Sequence, residues 1–190
     1  MSSTNRGYDR HKSDYYVTPQ KEIRKFLKEF KEHKSKDVFH ILDPCAGGDE
    51  NHEMSYPNAL QDVGVNSDNI ITVDIRKDSR ADIRENYLDI DCPGDFDLII
   101  TNPPFKIALP IIKKALDDVN KGGWVVMLLR LNFFGTQKRF DFWQKYMPKY
   151  TFVHHKRMSF TDDGKTDSIE YCHFCWNKGD YPEFSKIKVI

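Results

Sequence analysis

Asn102, Pro103, Pro104 and Phe105 stand directly after a short apolar run, Leu98-Ile99-Ile100, that opens with Phe96-Asp97 and passes through Thr101. The run is brief and bounded by turn residues, which predicts a strand buried on both faces of a parallel sheet. Two consecutive prolines lack N–H groups and hold φ, so they end the ladder in a rigid extended turn. The carboxyl end of such a strand is where open α/β sheets bind ligands. A polar amide, two stiff prolines and a flat ring at that place can hold and stack a planar amide or base. Asn-Pro or Pro-Pro alone reads as a strand end with a proline stop; the four residues together are much more specific.

Two other stretches carry candidate chemistry. Val38-Phe39-His40-Ile41-Leu42 predicts a strand, and Asp43-Pro44-Cys45-Ala46-Gly47-Gly48 is its exit loop. Small residues and paired glycines after a strand let a ligand approach the backbone closely. The spacing is not GxGxxG, so the dinucleotide fingerprint is not met. A second strand, Asn69 to Ile75, carries Asp74 near its end. Nucleotide-binding α/β folds place a carboxylate for ribose hydroxyls there, and a solvent-facing strand-end Asp would look the same. Cys172 and Cys175 form a lone CxxC in YCHFCW, with His154, His155 and His173 elsewhere in the sequence. Residues three apart on a strand point to opposite faces, and no second CxxC completes a four-ligand set. They read as structural thiols, with no metal expected.

The remaining chain supplies elements that position these groups. Thr18-Pro19 predicts a helix start, Thr18 as N-cap and Pro19 in the first turn, with Ile23, Phe26, Leu27 and Phe30 on one face. A short helix is expected around Asn58 to Val63, a helical turn over Ala81 to Asn86, and a third strand over Asn86 to Asp91. Cys92-Pro93-Gly94-Asp95 turns the chain into the strand at Phe96. A helix follows from about Ile107, stopped at Gly122-Gly123, and then a buried strand from Trp124 to Leu131. Next come a helix in TQKRFDFWQKYM, strands over Thr151 to Met158 and Glu170 to Trp176, and between these two a hairpin loop, Ser159 to Ile169. This alternation predicts a single α/β domain: a three-layer, Rossmann-like sandwich with a seven-stranded, mainly parallel sheet and one antiparallel strand.

Composition limits the function classes. In 190 residues, 29 Lys+Arg balance 29 Asp+Glu, so any nucleic-acid footprint must be local rather than global. The polar start, MSSTNRGYDRHKSDYY, has no apolar signal region, and no apolar stretch reaches the roughly 18 residues of a membrane span. A cytoplasmic protein without membrane partners is the expectation.

Asn102-Pro103-Pro104-Phe105 resembles the (D/N/S)-P-P-(Y/F/W) motif of S-adenosylmethionine-dependent amino-methyltransferases. The order of elements, from about Tyr15 to Asn177, is similar to the gamma class of these enzymes, and more narrowly to small phage-type DNA N6-adenine methyltransferases of restriction-modification type. The resemblance implies the class I methyltransferase fold and S-adenosylmethionine as cofactor. It implies that Tyr16, Thr18 and Pro19 edge the cofactor's methionine moiety, and that Asp43, Cys45, Ala46 and Gly47 line its amino acid part and sulfonium. Asp74 would bind the ribose hydroxyls. Asn86-Tyr87-Leu88 stands where the family carries an Asp-aromatic-Leu triplet, with Asp89 as the other candidate for the adenine contact. Asn102, Pro103 and Phe105 would hold the target amino group and base, and Phe160 would pack on the same base. Cys45 lies in the cofactor loop and is not read as a nucleophile.

The resemblance implies a DNA partner and a target base flipped out of the duplex. No separate target-recognition domain is expected, so sequence reading would fall to loops such as Asp49 to Tyr56, Phe134 to Arg139 and Thr161 to Ser168. Lys138, Arg139, Lys156 and Arg157 could bind phosphates or be solvated surface. A monomer or a homodimer would suit this economy. RNA or protein-glutamine methylation is the alternative, and a non-catalytic binding protein on the cofactor fold is a third reading.

Overall fold

The computed structural model describes residues 17–33, 40–91, 95–160, 166 and 168–190. Tyr16, the expected strand residues Val38 and Phe39, the turn residues Cys92 to Gly94 and most of the 161–168 loop lie outside the described residues. The elements are α1 (Gln20–Lys31), β1 (Ile41–Asp43), α2 (Ser55–Asp62), β2 (Ile70–Thr72), β3 (Phe96–Thr101), α3 (Ala108–Asp118), β4 (Val119–Arg130), α4 (Phe140–Lys145), β5 (Tyr150–Val153), β6 (Tyr171–Asn177) and β7 (Lys186–Val189).

Seven strands form one sheet in the order β2-β1-β3-β4-β6-β5-β7. All neighbours run parallel except those of β6, which is antiparallel to both β4 and β5. Alternation along the strands divides the core. Leu42, Ile99, Val125, Met127 and Phe174 pack with residues of α3 and α4, while Ile41, Leu98, Ile100, Val126, Leu128 and Cys175 pack with residues of α1 and α2. Ile23, Phe26, Leu27 and Phe30 are the buried face of α1, as their spacing predicts. Burying each such side chain is worth roughly 1.5–3 kcal/mol. Cys172 belongs to one core face and Cys175 to the other, as expected of structural thiols.

Three local expectations are corrected. First, residues 86–91 form no strand. Tyr87–Asp89 is a 3-10 turn capped by the Asn86 side chain, which accepts from Leu88 N, and β7 supplies the seventh strand instead. Lys186-Ile187-Lys188-Val189 alternates with period two, yet all four residues are exposed, so no buried face announced it. It is held by its ladder to β5 and by Lys188 on Glu29 of α1. Second, residues 81–86 form no helical turn. Ile83 bridges Val73 in parallel, and the Asp82 carboxylate accepts from Thr72 N and Oγ1.

Third, Gly122-Gly123 does not stop a helix. α3 already ends at Asp118, and β4 runs through both glycines beside a register irregularity against β3. A Cβ on Gly123 would come within 2.9 Å of the Asp97 carbonyl, so only glycine lets the two backbones approach this closely.

Beneath the sheet's α1/α2 face lies a buried polar chain. The Tyr56 hydroxyl and His173 Nε2 are hydrogen-bonded at 2.9 Å, His173 Nδ1 and His154 Nε2 at 2.8 Å, and His154 Nδ1 lies 3.4 Å from Glu22 Oε2. Phe26 stacks on His173 with ring centroids 3.9 Å apart. Burial holds both histidines neutral: it lowers His154 to about 4, and it lowers His173 well below the usual range, with the neighbouring His154 as a lesser cause. A histidine with a depressed folded-state pKa contributes stability above its unfolded value of about 6.5 and loses it as pH falls. Each histidine should therefore remove on the order of 1.4 kcal/mol per pH unit below pH 6.5. Chemical denaturation between pH 7.5 and 5 should show a slope shallower by one proton in His173→Leu than in the wild type. Equal slopes would exclude a neutral buried His173.

Candidate active site

The site begins at the carboxyl end of β1, where Asp43 is fully buried and its Oδ1 accepts from Cys45 N at 3.2 Å. Gly47 and Gly48 follow with φ of 69° and 73°, a region that favours glycine. A Cβ on Gly48 would also stand 2.7 Å from Met54 Cγ. The loop is tied to β2 by Ala46 N donating to Val73 O and by Val73 N donating to Asp43 O.

Side chains from the turn after β2 close around this loop. Asp74 Oδ2 accepts from Gly47 N at 2.8 Å, and its Oδ1 accepts from Arg76 N at 2.8 Å. Arg76 Nη2 donates to Gly48 O at 2.6 Å, and Ser79 Oγ to Gly47 O at 2.5 Å. Asp74 is thus neither solvent-facing nor an open carboxylate; it is buried and holds the glycine loop. Sequence reading missed Arg76 and Ser79 because RKDSR has the composition of a solvated turn. Only the burial of both residues reveals their role.

From β3 come Thr101 and Asn102. Among the described residues, three buried oxygens of this region have no hydrogen-bond partner: Asp43 Oδ2, Thr101 Oγ1 and Asn102 Oδ1. Buried polar atoms are seldom left unpaired in folded proteins; the Thr101 hydroxyl lies near the Asp43 carboxyl, which leaves Asn102 Oδ1 as the acceptor with no group to meet it. Burial pushes the Asp43 carboxyl up to about 7, against the pull of the nearby Thr101 hydroxyl and the Cys45 N–H; Asp74 adds to the rise. Burial, with the Asp43 and Asp74 charges, also pushes the Cys45 thiol well up. That thiol is no thiolate nucleophile at neutral pH.

Thr18 is not the helix cap its position suggests. Pro19 occupies the N-cap position of α1 and no side chain caps the helix. Thr18 is buried, and its Oγ1 accepts from Asn102 Nδ2 at 3.0 Å. Beyond Pro104, Phe105 opens a short 3-10 turn and remains half-buried. Its ring lies 5.9 Å from that of Tyr171, with the Arg130 guanidinium 4.8 Å over it. Phe160 meets the same Tyr171 edge-on at 4.8 Å. Arg130 and Tyr171 are register partners across β4 and β6. The structure thus brings Phe105 and Phe160 to one tyrosine, which sequence reading did not single out, since on β6 it reads as core.

Other expected residues are engaged within the chain. The Tyr87 hydroxyl donates to Asp118 Oδ2 of α3 at 2.6 Å, and Asn86 Nδ2 donates to Asp89 Oδ2 at 2.8 Å. Arg139 donates to the carbonyls of Phe133 and Gly135, so it shapes its own loop. Among the described residues, no three His, Cys, Asp or Glu side chains gather as metal ligands, and no helix is long and apolar enough to cross a membrane.

No protein-family profile and no curated protein sequence matches the chain. Solved structures do. A Listeria monocytogenes protein assigned to the class I S-adenosylmethionine-dependent methyltransferases superposes with a TM-score of 0.64 at 16% identity, over 92% of this chain and 65% of that one. The fold is that of the class I methyltransferases. The methyltransferase subunit of a type I restriction-modification system from Streptococcus thermophilus gives 0.65 at 13% identity, over 92% of this chain and 47% of that one. A Pyrococcus horikoshii protein assigned as an RNA methyltransferase gives 0.62 at 15% identity, over 93% and 94% of the two chains. This chain therefore spans less than two thirds of the first and about half of the second. In the class I fold of this chain, the glycine loop after β1, Asp43 and the end of β3 share one edge of the sheet. That arrangement offers a buried carboxylate to a cation and an unpaired amide oxygen to an N–H donor.

Proposed function

We propose that this chain is an S-adenosylmethionine-dependent methyltransferase that acts on the exocyclic N6 amine of adenine in DNA, with the base flipped out of the duplex. The observation that carries this reading is Asn102 Oδ1: buried, unpaired, and held by an amide whose other end is bonded to Thr18. The residues fit the cofactor. Asp43 and the Gly47-Gly48 loop would hold its amino acid part and sulfonium, and the Asp74 turn its ribose side. Bound there, the cofactor supplies a methyl group on a positively charged sulfur.

The chain's own residues would do the rest by positioning. An adenine amine is a poor nucleophile because its lone pair is delocalised into the ring. Asn102 Oδ1 and the Pro103 carbonyl can each accept one of its N–H groups and turn the lone pair out of the ring plane. Phe105 would stack on the base, with Phe160 beside it, at roughly 1–3 kcal/mol per stacked base. No covalent intermediate on the protein is required.

A polyanionic substrate is supported by charge placement. Lys106 follows β3, Arg130 ends β4 and Lys138 follows it, and Lys156 and Arg157 follow β5, all toward the carboxyl edge of the sheet; all but the half-buried Arg130 are exposed. Exposed lysines and arginines there could contact phosphates, which would suit a nucleic-acid substrate. The test is incubation with tritium-labelled S-adenosylmethionine and unmethylated DNA, RNA or protein. Label recovered as N6-methyladenine in DNA is expected. Label confined to RNA or protein would overturn the DNA assignment.

A further inference from the structure

We propose that the Arg130 guanidinium keeps the place of the target base on Phe105 in the free protein. An entering base displaces it, and the guanidinium then binds a phosphate of the flipped nucleotide. The inference rests on the proposed function. Arg130 is the last residue of β4, three positions beyond Met127, the register partner of Thr101. It therefore overhangs the end of β3, where Asn102 to Phe105 continue the chain. Its guanidinium carbon lies 4.8 Å over the centre of the Phe105 ring, and its Nε donates to the Tyr171 hydroxyl at 3.4 Å.

The charge identifies the face. Phe105 is half-buried and packs on residues of both core layers, with Tyr171 tilted against it at 5.9 Å. A guanidinium cannot be deprotonated in a protein, and a charge avoids the apolar core. The half-buried Arg130 thus covers the side of the ring that solvent reaches, not the side that the core fills. A base arriving from solvent has that same side to stack on. Guanidinium and base are both flat, and both stack on aromatic rings with strengths of the same order. One can replace the other at little net cost, so the ring need not be bared to water in between. The bond to Tyr171 is at the long end of hydrogen-bond distances and gives way readily. On leaving, the guanidinium needs an anion. Its fork of N–H donors matches a phosphate, and a flipped nucleotide has one on each side of its sugar.

The exchange can be followed by NMR. Protons over a ring face are shifted upfield. The Arg130 Nε–Hε signal of the free protein, assigned with Arg130→Lys, should lie upfield and return toward the ordinary arginine position in Phe105→Leu. An oligonucleotide of the nucleic acid that accepts label in the methyl-transfer assay, added with S-adenosylhomocysteine, should move the wild-type signal the same way. A signal that keeps its upfield place in that complex overturns the inference, because the guanidinium has then stayed on the ring. This measurement holds whether or not other variants at Arg130 fold.

The phosphate contact is read from salt dependence. Arg130→Met keeps the length and removes the charge. Its KM for the nucleic acid should rise on the order of tenfold, with a smaller fall in kcat. The slope of log KM against log salt should be shallower by about one contact. Arg130→Lys should keep the slope, since lysine supplies the charge. An unchanged slope in Arg130→Met, or a loss confined to kcat, also overturns the inference. If the wild type methylates no nucleic acid, the proposed function fails and the inference falls with it. If nucleic acid is methylated and the Arg130 signal does not move, the inference alone fails.

Discussion

Asn102→Ala should reduce methyl transfer on the order of 10²–10³-fold, the scale seen when one preorganised catalytic hydrogen-bonding group is removed. Cofactor affinity should stay within a few-fold of the wild type, because Asp43 and the glycine loop are untouched. Folding should be little affected. The substitution deletes a buried oxygen that had no partner and leaves only Thr18 Oγ1 without its donor. Single-turnover kinetics with saturating cofactor, together with calorimetric cofactor binding, separate these effects. Turnover retained in Asn102→Ala would remove the residue from the mechanism. Loss of binding in parallel with turnover would make it a cofactor residue instead.

Asp43→Asn should act in opposite directions on binding and on stability. Burial raises the folded-state pKa of Asp43 from 3.8 to about 7. An acid with a raised folded pKa contributes stability that is fully present below its unfolded pKa and is lost as pH rises through the folded one. At pH 8 the unliganded wild type therefore holds a buried, half-satisfied carboxylate. Removing it should stabilise the chain by up to about 4 kcal/mol, about three pK units at 1.36 kcal/mol each, less the cost of burying the new amide. At pH 4 the gain should vanish.

A cationic ligand inverts this balance, since it stabilises the ionised carboxylate. Cofactor binding should thus weaken as pH falls below about 7, by up to tenfold per unit, and Asp43→Asn should bind weakly at every pH. Denaturation and binding titrations over pH 5 to 8 measure both effects. Stability of Asp43→Asn below that of the wild type at pH 8, or cofactor affinity independent of pH, would refute the account. Between pH 6.5 and 5 Asp43 and the two buried histidines act with opposite signs. Asp43→Asn should accordingly steepen the fall of stability with acid, where His173→Leu flattens it.

Both variants touch residues whose places, though not whose bonds, can be read from the linear chain. A buried run ended by two prolines specifies a strand stop at Asn102 whatever surrounds it, because φ restriction and a missing donor are local properties. The paired glycines after Asp43 likewise specify a tight loop, and the apolar spacing of Ile23, Phe26, Leu27 and Phe30 specifies which face α1 buries. The alternation in YCHFCW sends Cys172 and Cys175 to opposite sides of the sheet. These features rest on periodicity and on single-residue backbone limits, which need no knowledge of distant neighbours.

Tertiary structure alone decided how the pieces meet. Asp74 and Arg76 could have been a solvated strand end; the crossing of the β2 turn over the glycine loop makes them its clasp. Thr18 could have capped α1, and the closeness of β3 turned its hydroxyl to Asn102. Residues 86–91 and 186–189 offered similar short patterns. The Asn86 cap made the first a turn, and the open edge of β5 made the second a strand. Tyr171 became the meeting point of Phe105 and Phe160 only through the β4–β6 register. Hydrogen-bond partners and ring contacts between residues tens of positions apart depend on register and layer order. A local pattern carries the chemistry of each residue, and the fold determines which neighbour that chemistry meets.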